Sequence, residues 1–392
     1  MDPFENPPFS IAIVWHPGFK DGADIAAHLH EHFRGDTFQG AAREGIQVFH
    51  HSQPALGERV PPPLQMAPDR CLAVILLVEE HLQKGLEDGW RDYLNGALDA
   101  VEATCGASLV FPVAFEPKAF SVLPRIGGAN FIRWYDWKES PLLRLTAVLT
   151  HELSRLLVPW VRAVEGSHEL PPEIDDEPPE PVNVFISHSK QDGEELAIRV
   201  RDAIHQSSLK SFFDVHDIPP GWSFAKVIQG KIKKSALLVV QTDSFASREW
   251  CRLEVLTARR YEVPVVVLNA LREGELRAFP YGGNVPVVMG GALDESRITR
   301  ALARLLDENL KDLYWRLQRE TLLGMARKLD PAPVLFRRAP DLLALVGLDP
   351  KPKLIVHPDP PLGNAEADVL RSLIQDLRLE TPTSLYVAPE GV

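Results

Sequence analysis

The chain of 392 residues has little cysteine, a deficit of basic charge and no long apolar run. Its three cysteines, Cys71, Cys105 and Cys251, are odd in number, far apart and without CxxC spacing. That excludes a disulfide framework and a cysteine-based zinc site, and leaves them as small buried hydrophobes. Lys and Arg number 42 against 54 Asp and Glu, and the net charge of -12 carries no general electrostatic footprint for nucleic acid. The longest apolar stretches, "CLAVILLV" and "VPVVVLNAL", are strand-length and well short of the roughly 18 to 20 residues that cross a bilayer. The opening "MDPFENPPFS" lacks a basic n-region and an apolar h-region, so no secretory signal is expected and the cytoplasm is the expected location. Without a P-loop, a GxGxxG turn or a kinase motif set, ATP chemistry has no support.

What the chain does have is proline, 34 residues against 25 glycines, concentrated in connections. The sharpest composition shift is "EGSHELPPEIDDEPPEPV", which holds seven acidic residues and no Lys or Arg. It reads as an extended, solvated linker over 165–182, and its charge is over half of the net negative charge. Before it, strand-like and helical runs follow the order β-α-β-β-α-β-β-α, from "FSIAIVWH" to "LLRLTAVLTHELSRLL". After it, "VNVFIS", "KSFFD", "ALLVVQ", "VPVVVLN" and "NVPVVMGG" alternate with helical patterns. Continuous Val/Ile/Leu strands are those buried on both faces of a parallel sheet. The fold class is therefore α/β: two flavodoxin-like open parallel-sheet domains joined by an acidic Pro-rich linker, plus a small C-terminal α/β segment. The expected boundaries are 1–164, linker 165–182, 183–309, and 310–392 with a helix followed by one βαβ unit that ends on the strand "SLYV". The similar element order of the two halves suggests a diverged tandem duplication.

Three stretches of the second domain carry polar side chains where ligands bind in such sheets, at the carboxyl ends of strands. In "VNVFISHSKQD", Ser187, His188, Ser189 and Asp192 are either a helix-capping cluster or a ligand-facing loop. In "FFDVHDIPPGWSF", Asp217, Ile218, Pro219, Pro220 and Gly221 form a stiffened, exposed lip leading to Trp222, or a plain turn. In "SFASREWCRLEV", Trp250 and Glu254 are one helical turn apart and share a face; Glu254 is either a solvated carboxylate paired with Arg248 or Arg252, or chemistry. His28, His30 and His32, with His50 and His51, lack the HExxH pattern and are read as a solvated helix and a strand end, so no metal is expected.

Over residues 182–290 these motifs, in this order and spacing, resemble a TIR (Toll/interleukin-1 receptor) domain of the bacterial NAD-hydrolase type. The resemblance implies self-association through the 217–221 loop and cleavage of NAD+ as substrate, with no cofactor. It also implies a catalytic glutamate, Glu254, from an S-x-W-x-x-x-E helix motif matched here by Ser247, Trp250 and Glu254 with one extra residue between Ser and Trp. Ser187, His188, Ser189, Asp192, Trp222 and Trp250 are then substrate-binding, and activation by oligomerisation or a partner in anti-phage defence is the implied role. The first domain opens similarly with "WHPGFKDG", but Leu94 takes the place four residues past Trp90, so it reads as TIR-like and non-catalytic. A non-catalytic signalling scaffold and a nucleoside N-glycoside transferase are the competing readings.

Overall fold

The computed structural model describes residues 7–34, 45–54, 56–65, 67, 69–104, 106–121, 124–126, 129–166, 172, 178–207, 210–212, 224–275, 282–289, 295–346 and 348–387. The chain divides into two compact units, Met1–Pro179 with Arg316–Leu322, and Glu180–Trp315 with Leu323–Val392. The expected loop of Asp217, Ile218, Pro219, Pro220 and Gly221, together with Trp222, Cys105 and most of the acidic linker, lies outside the described residues.

The first unit runs β1 (Phe9–Val14), α1 (Gly22–Arg34), β2 (Gln47–His51), β3 (Cys71–Val78), α2 (Glu80–Gly85), α3 (Trp90–Glu102), β4 (Leu109–Ala114), β5 (Ile132–Arg133) and α4 (Pro141–Gly166). Its strands form one parallel sheet in the order β2-β1-β3-β4-β5. All eight residues of β3 are buried, as its unbroken apolar run requires of a strand covered on both faces. Trp90, Tyr93, Leu94, Leu98 and Val101 of α3 pack on this sheet at the spacing of one helical stripe. The indole of the buried Trp160 in α4 donates to the Ala107 carbonyl at 2.8 Å, so its one polar atom is satisfied.

The second unit runs β6 (Asn183–His188), α5 (Glu194–His205), β7 (Lys210–Phe212), α6 (Phe224–Ile232), β8 (Ala236–Gln241), α7 (Glu249–Arg260), β9 (Val265–Asn269), β10 (Val287–Val288) and α8 (Glu295–Ala326), except that Arg316–Leu322 of α8 belongs to the first unit. It continues through β11 (Val334–Leu335), α9 (Leu342–Leu345), β12 (Leu354–Val356), α10 (Asn364–Leu373), β13 (Arg378–Glu380) and α11 (Pro382–Val387). The main sheet is again parallel, β7-β6-β8-β9-β10. Counted from the first strand of each unit, both sheets have the order 2-1-3-4-5, the flavodoxin-like doubly wound arrangement.

Alternation along the strands explains how both faces are covered. Val184, Ile186, Leu238, Val240, Val266 and Leu268 join the apolar side chains of α5 and α8 in one core. Their neighbours Phe185, Leu237, Val239, Val265 and Val267 join those of α6 and α7 in the other. Successive side chains point to opposite faces, so each strand feeds both layers.

Two expectations for the C-terminal segment are corrected. The two helices expected on either side of residue 310, "ESRITRALARLLDENL" and "LKDLYWRLQRETLLGMARKL", are one unbroken helix, α8, through Ala326; nothing in its sequence interrupts the pattern, since Gly324 comes only in its last turn. "SLYV" is helical, not a strand: Pro382 starts α11 and the Thr381 backbone N–H donates to Ser384 Oγ at 2.7 Å, a local capping bond that outweighs the β propensity of Tyr386 and Val387. The strand lies just before it, at β13, in a parallel sheet β11-β12-β13 that includes a two-residue strand the sequence did not suggest.

Candidate active site

At the carboxyl edge of the second sheet, β6 ends in Ser187 and His188, and α7 presents Glu254 to it. Ser187 is fully buried and its hydroxyl donates to Glu254 Oε2 at 2.5 Å. The Glu254 residue keeps some accessible surface, yet its carboxyl group is densely surrounded. Enclosure raises its pKa to about 7, against the hydrogen bond from Ser187, which works in the opposite direction. The group is thus poised between acid and carboxylate at neutral pH.

Beneath it, the Cys251 thiol donates to the His188 carbonyl at 3.4 Å, and burial, aided by the Glu254 charge, pushes that thiol up to about 12. It is an inert packing residue. Trp250 lies one turn before Glu254 and is 47% exposed, an indole face at the rim of the site. Ser247 does not join Glu254; its hydroxyl donates to the Ser244 carbonyl at 2.6 Å. The hydroxyl partner of the carboxylate comes instead from the strand.

Ser189 and Asp192 form a second cluster. Asp192 accepts from Thr242 Oγ1 at 2.7 Å, Ser244 Oγ at 2.5 Å and Ser244 N–H at 2.9 Å, while Ser189 Oγ and Ser244 Oγ are 2.6 Å apart. Desolvation alone would raise the Asp192 pKa, but these bonds outweigh it and hold the group below its ordinary value. The cluster ties the loop after β6 to the loop after β8. Arg248 adds a hydrogen bond to Gln191 across the same gap. Gly193, at the start of α5, is constrained by space, since a Cβ there would fall 3.0 Å from the Ser189 carbonyl.

Asp243, which sequence reasoning missed, accepts the backbone N–H groups of Arg272 at 2.9 Å, Glu273 at 3.2 Å and Gly274 at 3.1 Å. These three donors hold its carboxylate below the usual range. Glu275 reaches back to Gln241 at 3.0 Å and to the Ala246 N–H at 3.2 Å. The loop after β9, which looks featureless in sequence, is therefore stitched to the loop that leads into α7. Only the Thr-Asp-Ser run after "ALLVVQ" signals it, as polar residues at a strand end.

Among the described residues the first unit has no counterpart to this carboxylate. Leu94, four residues past Trp90, is 3% exposed and Trp90 is 1% exposed, both inside the core. The carboxyl ends of β1 and β3 are filled by imidazoles: His16 Nδ1 accepts the Gly18 N–H at 3.0 Å, and a Cβ on Gly18 would lie 2.8 Å from the His81 ring. Glu79 is spent on capping α2 through the His81 and Leu82 N–H groups, at 2.7 and 2.8 Å. His28 meets Thr146 at 3.2 Å and His32 meets Thr150 at 3.5 Å. Among the described residues no group of His, Cys, Asp and Glu is arranged to hold a metal ion, and no helix is long and apolar enough to cross a membrane.

A doubly wound α/β domain with a glutamate enclosed at the carboxyl edge of its sheet is the class that fold and site define. Residues 184–289, somewhat over a quarter of the chain, match the family model described as the TIR domain, and this segment is a TIR domain. No curated protein matches the chain. Among solved structures it is similar to the TIR domains of the activated Roq1 resistosome directly recognizing the pathogen effector XopQ, at 22% identity over 22% of this chain and 56% of that one, with a TM-score of 0.21. The match thus spans little more than half of that chain's length.

Proposed function

We propose that the TIR domain of this chain is an NAD+ glycohydrolase, with Glu254 as its catalytic carboxylate. The observation that carries the reading is the enclosed, Ser187-bonded carboxyl group at the carboxyl edge of the sheet. Nicotinamide is bound to ribose as a cationic pyridinium and leaves as a neutral base, taking the electron pair of the broken C1′–N bond, so no general acid is required. Positive charge develops at the ribose, as in glycoside hydrolysis. An ionised Glu254 stabilises that charge and accepts the proton of the water that attacks C1′, giving ADP-ribose; attack by an adenine nitrogen instead gives the cyclic product. Ser187 favours the ionised form by donating to it, and the exposed Trp250 offers a flat face for a ring of the substrate. Self-association of TIR domains, or a partner, completes the site in this reading, and depletion of cytoplasmic NAD+ or a cyclic ADP-ribose signal serves anti-phage defence.

A scaffold that signals by assembly is the second reading, favoured by the exposure of Trp250 at 47% and Leu256 at 37% on the surface of α7. The full chain at high concentration, incubated with NAD+, separates the two by nicotinamide release. Release abolished by Glu254→Gln is expected; release that survives the substitution removes Glu254 from the chemistry, and no release from wild type favours the scaffold. Turnover of a nucleoside in place of NAD+ indicates a transferase.

A further inference from the structure

The segment that follows the TIR match is fastened to the end of the helix that carries Glu254. α7 closes with the Val263 N–H on the Ala258 carbonyl at 3.1 Å and the Glu262 N–H on the Arg259 carbonyl at 3.2 Å. The residue that turns out of the helix, Glu262, has φ 51°. This left-handed position is ordinarily given to glycine, because a Cβ crowds the following carbonyl. Glutamate holds it here, and its Oε1 accepts the Arg337 backbone N–H at 3.1 Å.

The Arg337 side chain extends the same attachment. It donates to the Tyr261 carbonyl at 3.4 Å and grips the buried Asp312 of α8 with two N–H groups, one of them at 2.6 Å. One turn back along α7, Arg259 pairs with Asp341, whose other oxygen caps α9 through the Ala344 N–H at 2.9 Å. Gly283, at φ 63°, leaves the room for that pair, since a Cβ there would stand 2.8 Å from the Arg259 guanidinium. The last turn of α7 is held by Arg337 and Asp341, and both lie outside residues 184–289.

Glu254 lies five residues before Arg259, about 7 to 8 Å along the helix. Its hydrogen bond to Ser187 crosses from α7 to β6, so a shift of α7 by about an ångström breaks it. We infer that residues 334–345 position the Glu254 carboxyl against Ser187 by clamping the last turn of α7, with Arg337 as the positioning residue. The inference rests on the reading of Glu254 as the reactive carboxylate.

Its test uses the full chain. The stability advantage of Glu254→Gln over its parent starts at the unfolded pKa, grows with pH and levels off at the folded pKa, so the midpoint of that levelling-off, followed by denaturant unfolding from about pH 5 to about pH 8, reports the titration of Glu254 in the folded protein independently of catalysis. Expected is a midpoint near 7 in the wild-type background, and one about a pH unit lower when Arg337→Ala lets α7 drift and water reach the carboxyl, because relief of burial, the larger effect, outweighs loss of the Ser187 hydrogen bond. Arg337→Lys restores part of the shift, and kcat for nicotinamide release falls about tenfold in Arg337→Ala with KM unchanged. Should Arg337→Ala fail to fold, Asp341→Asn and Gly283→Ala loosen the same turn through Arg259 and are read in the same way. A midpoint that stays near 7 in every variant while stability drops overturns the inference. A midpoint that moves in a protein without NAD+ hydrolysis upholds the clamp and sinks the enzymatic reading alone.

Discussion

Glu254 is costly to ionise where it stands. Burial raises its folded pKa to about 7, against an ordinary carboxyl value of 4.5 that it regains on unfolding. The raised value means that its contribution to stability is fully present below the unfolded pKa and is lost as pH rises through the folded one. Glu254→Gln is therefore expected to stabilise the protein above neutral pH, by about 3 kcal/mol at most, and to make little difference near pH 4.5. Chemical denaturation at the two pH values checks this, and a stability loss at both would show that the carboxylate is needed for packing. Ser187→Ala removes the hydrogen bond that favours the ionised form. If the ionised form reacts, the rising limb of the rate against pH moves to higher pH in that variant, read from initial rates of nicotinamide release.

At the scale of elements, the clip made by Asp192 joins two loops that are 50 residues apart in sequence, through Thr242 and Ser244. Asp192→Ala leaves those hydroxyls without their acceptor and is expected to cost about 1 to 3 kcal/mol, visible as a lower urea midpoint with an unchanged slope. Strands and helices of this kind were legible in advance because their signals are local: β3 and β8 are unbroken apolar runs, and α7 shows a clear stripe. The candidate site was legible through the Trp250 and Glu254 spacing and the polar run that follows β6. Nothing in sequence tells that Ser187 and not Ser247 meets the carboxylate, because the contact spans 67 residues and is decided by strand register. The donors of the nest around Asp243 are backbone groups, which every residue carries, so only its acceptor side, in the Thr-Asp-Ser run, leaves a trace in the sequence. "SLYV" was misread for the opposite reason: its side chains favour a strand, while the capping residue before it decided the outcome.

At the scale of the molecule, the TIR domain is not self-sufficient within its family boundaries. Ile298, Ala301, Leu302 and Leu305 of α8 complete one of its two cores, and all four lie past residue 289. The three large side chains alone represent about 5 to 9 kcal/mol of burial, comparable with the whole stability of an ordinary domain. A fragment ending at residue 289 is expected to lose its tertiary packing, seen as collapsed near-ultraviolet dichroism and dye binding beside retained far-ultraviolet signal. A fragment that keeps sharp, dispersed amide resonances would show that α8 is dispensable.

The attachment of Arg337 to the turn at Glu262 also sets an order of events during synthesis. The ribosome makes α7 some 75 residues before its fastening, several seconds earlier at ordinary elongation rates of about 5 to 20 residues per second. Until then the glutamate rides on a helix whose last turn is held by local bonds alone. If Glu254 is the catalytic carboxylate proposed above, a nascent or prematurely terminated chain carries it without its alignment, and a cell making this protein is spared the consumption of its own dinucleotide pool by unfinished copies.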